Sequence, residues 1–125
     1  MFQIDPLSKI PIYEQIIDQL ERFVISGALR AGDPLPSVRS LSVQLKANPN
    51  TIQKAYAELD SRGIIRSVPG KGCFVCERAA EILKDREKNR LEELTRLCAE
   101  LKTAGVSEKE MIGAVKKAFG KKEEE

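Results

Sequence analysis

Along the chain, apolar residues recur at helical spacing, and the gaps between these stretches hold the glycines, prolines and β-branched runs that end helices and begin strands. Ile12, Ile16, Ile17, Leu20, Phe23 and Val24 form a broad stripe that Pro11 opens and Gly27 closes, which predicts a first, core-forming helix. Met1 to Ile10 read as an extended leader, with Asp5-Pro6 and Ser8 as loop formers, expected to drape over that helix. Gly32-Asp33-Pro34 signals a turn, and Pro36-Ser37 then begins a second helix with Val38, Leu41 and Leu45 on its apolar side, closing near Lys46.

Asn48 follows almost at once and suits an N-cap, with Pro49 in the first helical position, where its missing N–H is not needed. Ile52, Ala55, Tyr56 and Leu59 mark one buried helical face. Asn50, Gln53, Lys54 and Ala57 repeat the same spacing two residues earlier, about 200° around the helix, and so point away from the core. Gly63 fits the helix stop. Two short helices joined by so tight a turn form a helix-turn-helix whose second member is the reading helix. Ile64 to Val68 has the β-branched content of a strand, Pro69-Gly70-Lys71-Gly72 is a turn, and Cys73 to Cys76 is a second strand. A hairpin directly behind a reading helix makes a wing.

From Glu77 the character changes. Glu77 to Thr103 contains no glycine or proline and predicts one long helix, nearly all charged from Lys84 to Arg90 and lined in its second half by Leu91, Leu94, Leu97, Cys98 and Leu101. Gly105 ends it, Ser107 to Glu110 fits a capping box, and Met111, Ile112, Val115, Ala118 and Phe119 stripe a short final helix. The charged tail from Lys121 to Glu125 is expected to fray. The fold class is therefore mainly α with a small β-hairpin: a winged helix-turn-helix domain over residues 1–76, followed by a two-helix C-terminal dimerisation hairpin over residues 77–125. Two helices of this size do not bury the stripe of Leu91, Leu94, Leu97, Leu101, Met111, Ile112, Val115 and Phe119 by themselves. Pairing with the same hairpin of a second chain hides it, as does folding back onto the winged domain.

The length of 125 residues allows one domain with an appendage and excludes a large enzyme. With 42% apolar and 32% charged residues, no apolar run near the ~18–20 residues of a membrane span and no signal peptide, the expectation is a soluble cytoplasmic protein. The net charge of +2 says little, but its distribution says more. From Arg30 to Lys71, seven basic residues stand against three acidic ones, a local +4, whereas from Glu77 onward twelve basic residues balance twelve acidic ones. Three cysteines and no histidine leave the lone Cys73–Cys76 pair without a full metal ligand set; CFVC reads as a packed strand, and no metal or cofactor is expected. No nucleophile–base constellation suggests an enzyme.

The outward face of the reading helix is polar and lightly charged. Asn50 and Gln53 match the bidentate pattern of adenine, and Lys54 reaches a phosphate or a guanine. Arg39, in the first turn of the supporting helix, is placed for a phosphate beside the groove. Lys71, between Gly70 and Gly72, brings one cation to a wing tip free of bulky side chains. Each feature also has a plain reading, as an amphipathic helix with a solvated face, a solvated arginine or a solubilising lysine in a turn. A winged-helix module for protein–protein assembly without specific DNA binding is the competing function. Their concentration in one segment favours DNA.

The succession PIYEQI, LPSVRSL, NPNTIQKAYAELDSRGII and VPGKGCFV resembles the GntR family of bacterial transcription regulators, closely over residues 3–76, and the short helical tail resembles its YtrA-like branch. The resemblance implies a winged helix-turn-helix, a homodimer, double-stranded DNA as partner, and repression at an inverted-repeat operator, often of transporter genes. By matching positions it implies DNA contacts by Arg39, by Asn50, Thr51 and Gln53, and by Gly70 with Lys71. Pro49 stands where many relatives outside this branch carry a basic reading residue, so that contact is absent. The tail leaves little room for a ligand domain, so any small-molecule effector would bind between subunits or between tail and winged domain.

Overall fold

The computed structural model describes residues 2–121, so the expectation for the tail beyond Lys121 lies outside the described residues. Helix α1, Ile12–Ser26, buries Ile16, Ile17, Leu20 and Val24 on one side and ends at Gly27 in the left-handed region. The leader lies against it, held by two glutamine amides. Gln15 accepts the Asp5 N–H at 2.8 Å and donates to the Asp5 and Ile10 carbonyls, while Gln19 accepts the Gln3 N–H at 2.8 Å and donates to the Gln3 carbonyl. The spacing explains the match: four helical residues rise about 6 Å and two extended residues about 6.6 Å. Phe2 closes the leader by packing edge-on against Phe23, with ring centroids 5.7 Å apart.

Strand β1 (Pro34–Leu35) precedes α2 (Val38–Leu45) and α3 (Pro49–Ser61); then come β2 (Ile65–Val68) and β3 (Gly72–Val75). The two hairpin strands match expectation, but the sheet has a third strand that the turn-like sequence around Pro34 concealed. Its order is β1-β3-β2, all antiparallel, with Leu35 opposite Cys73 and Ile65 opposite Val75. Helix α3 is the hub: it packs on α1, α2 and β2, and Ile52, Ala55, Tyr56 and Leu59 are all buried in the shared core. Burying each of its large apolar side chains contributes about 1.5–3 kcal/mol.

The chain divides into two compact units, Met1–Asp85 and Arg86–Glu125. The first extends past the hairpin because Ala79 and Leu83, one turn apart on α4 (Ala79–Asn89), are buried with its core. The expected single helix from Glu77 to Thr103 is instead two, α4 and α5 (Leu91–Thr103), separated at Arg90. No apolar position between Lys84 and Arg90 fixes that stretch against a core, and Asn89 is a weak helix former. There the Arg90 N–H bonds three residues back, to the Glu87 carbonyl at 3.0 Å, and the Arg90 guanidinium bridges Glu87 at 2.9 Å and Glu93 at 3.3 Å. Helix α6, Glu108–Ala118, starts with the expected capping box of Ser107 and Glu110. In the second unit Leu91, Leu94, Leu97, Ile112 and Val115 remain exposed, Phe119 is 77% exposed, and Leu101 and Met111 are half-buried. No helix among the described residues is long and apolar enough to cross a membrane.

Candidate nucleic-acid interface

Helix α3 begins as its sequence dictates. The Asn48 side chain accepts the Asn50 N–H at 2.8 Å, and Pro49 fills the first turn. Its far end is a full left-handed stop: the Gly63 N–H bonds the Asp60 carbonyl, and the Ile64 N–H reaches back to Leu59, both at 3.0 Å. Asn50 and Gln53 are exposed on the outer face, and neither side chain has a hydrogen-bond partner among the described residues. Thr51 is half-buried beside them. Lys54 lies on the flank of this face, its ammonium 3.8 Å from the centre of the Tyr13 ring on α1, a cation–π contact.

The other expected residues sit on the neighbouring elements. Arg39 is exposed in the first turn of α2, whose cap is Ser37 accepting the Ser40 N–H at 3.0 Å. At the hairpin tip the Lys71 N–H bonds the Val68 carbonyl at 2.9 Å, and Gly70, with φ 76°, supplies the positive φ that a type II turn requires in the residue after Pro69. Lys71 is exposed. The hairpin meets the reading helix below its tip, because the paired Ser67 and Cys73 share one groove with Gln53 and Ala57. The Ser67 hydroxyl and the Cys73 thiol lie 3.2 Å apart; Cys73 packs against the core from β3, whereas Cys76, expected to end that strand, lies one residue past it and packs there against the same core. Burial pushes the Cys76 thiol above its ordinary pKa.

Residues that the hydrophobic pattern did not single out set the orientation of α3. Glu21, 3% exposed, reaches Arg62 at the helix C-terminus at 3.3 Å, and Arg62 also pairs with Glu58 at 3.0 Å. The signal was present, since Glu21 interrupts the stripe of Ile17, Leu20 and Val24 at its i+4 position. The Tyr56 hydroxyl donates to the Pro36 carbonyl at 2.7 Å and ties α3 to the start of α2. Desolvation, and then the nearby Cys73 thiol, raise the Tyr56 pKa well above its ordinary value.

A helix-turn-helix followed by a hairpin that abuts the second helix is a winged-helix domain, built to present α3 and a wing tip to duplex nucleic acid. The family described as bacterial regulatory proteins, gntR family, matches residues 12–75. The chain belongs to that family and is a DNA-binding transcription regulator. It is 44% identical over 107 residues to the HTH-type transcriptional repressor YtrA of Bacillus subtilis (strain 168), covering 85% of this chain and 82% of the relative. The crystal structure of a transcriptional regulator from Oenococcus oeni superposes with a TM-score of 0.75 at 34% identity, over 95% of this chain and 99% of the other. The AraR DNA-binding domain in complex with operator ORE1 superposes with a TM-score of 0.52 at 26% identity, over 61% of this chain and 93% of the other.

Proposed function

We propose that two copies of the chain bind an inverted-repeat operator as a homodimer and repress transcription from it. The observation that carries this reading is the exposed pair Asn50 and Gln53 on the first turns of α3, with their amides unpartnered among the described residues. Side-chain amides left free on a helix set to enter the major groove are suited to bidentate pairing with adenine. Thr51, Lys54 and Arg39 then contact the backbone beside the groove, and Gly70 with Lys71 brings the wing tip to phosphate. The open apolar positions of α5 and α6 supply the subunit contact, because apolar surface of this kind is stabilised by being covered. Repression is supported by the similarity to YtrA, itself named a repressor.

The test is a binding selection from randomised duplexes at two salt concentrations. The expected result is an enriched inverted repeat whose half-sites lie about 34–36 Å apart, with affinity that falls steeply with salt. Enrichment of a single half-site bound by one chain would overturn the dimer reading. Absence of binding even at low salt would move the function to protein–protein assembly.

A further inference from the structure

The turn between α2 and α3 contains the one left-handed residue among those described that is not glycine. Seven glycines take positive φ, and the eighth such position is Lys46, with φ 53° and ψ 40°. An L-residue there crowds its own Cβ against the following carbonyl, which glycine avoids and asparagine or aspartate tolerate best. Packing does not explain a lysine at this point. Lys46 is exposed, and its side chain has no hydrogen bond or ion pair among the described residues.

Its backbone, by contrast, is firmly tied. The Lys46 N–H bonds the Val43 carbonyl at 3.4 Å, the Ala47 N–H bonds the Ser42 carbonyl at 3.1 Å, and the Ser42 hydroxyl donates to the Ala47 carbonyl at 2.6 Å. The cation therefore projects from a fixed base two residues ahead of the Asn48 cap, on a flexible four-carbon stem. No acidic residue occurs between Asp33 and Glu58 to compete for it along the chain. Strained backbone of this kind persists where the surroundings over-determine it and gathers at binding surfaces.

We propose that Lys46 neutralises a DNA phosphate at the edge of the groove that α3 enters, as a further contact beside Arg39 on α2 and Lys71 on the wing. This rests on the groove placement of α3 proposed above.

The experiment titrates the full chain and its Lys46→Gln, Lys46→Gly and Lys46→Arg variants against the selected operator and a random duplex across salt concentrations, with thermal melts alongside. Loss of the charge in Lys46→Gln and Lys46→Gly is expected to weaken both duplexes by a similar several-fold factor and to make the salt slope shallower by about 0.9 per lost contact. Lys46→Arg is expected to hold the wild-type slope. Lys46→Gly, freed of the left-handed strain, is expected to melt no lower than wild type while still losing affinity, which separates binding from folding. Wild-type affinity and slope in Lys46→Gln would overturn the contact, as would a loss confined to the operator. A wild-type chain without salt-dependent duplex binding would overturn the groove placement itself, and this contact with it.

Discussion

Tyr56 illustrates how much of a residue's role its spacing reveals. Its place on the buried face of α3 was legible from the helical repeat, but the bond from its hydroxyl to the Pro36 carbonyl was not, because periodicity carries no information about a partner twenty residues away. Tyr56→Phe is expected to cost about 1 kcal/mol in urea unfolding near neutral pH. The raised pKa adds a pH dependence. The unfolded hydroxyl ionises from its ordinary value of 10.0 upward while the folded one keeps its proton, so the stabilisation is fully present below that value and is lost as pH rises above it. Unfolding curves at about pH 8 and about pH 10.5 should therefore diverge less in Tyr56→Phe than in the wild type, with the half-buried Cys76 thiol adding a loss of the same sign in both. Asn50 belongs to the same scale. Asn50→Ala is expected to cost about 1–3 kcal/mol on the preferred operator and far less on random duplex; equal losses would remove its base-reading role.

At the scale of elements, α3 was the most legible because its limits are set by local chemistry at both ends. Asn48→Ala removes the side chain that satisfies the Asn50 N–H, and a stability loss of about 1 kcal/mol is expected, with operator affinity falling as the first turn frays. Thermal melts and titrations on the same variant check both effects. The leader shows the opposite case. Gln15 and Gln19 read as ordinary helix formers, and only the matching rise of helix and extended chain makes them a clasp. The break at Arg90 escaped for a related reason, since a breaker-free sequence states only that a helix is allowed, not that anything holds it straight.

At the scale of the whole molecule, the exposed leucines of α5 call for a partner surface. Leu94→Asp is expected to give monomers in sedimentation while the thermal transition of the winged unit stays in place; a persistent dimer would put the subunit contact elsewhere. The expected domain boundary followed the change of composition at residue 76, whereas the first compact unit ends at Asp85, because burial of Ala79 and Leu83 is a matter of what lies opposite them. The amino-acid sequence by itself determined where α1, α2, α3 and the hairpin lie and which face of α3 is open, since caps, breakers and helical spacing act within a few residues. Only the tertiary structure decided the pairing of β1 with β3, the burial of Glu21 against Arg62 and the left-handed turn at Lys46. Each depends on a neighbour that the fold brings close or on a turn geometry that the flanking helices impose, and no short stretch of sequence specifies either.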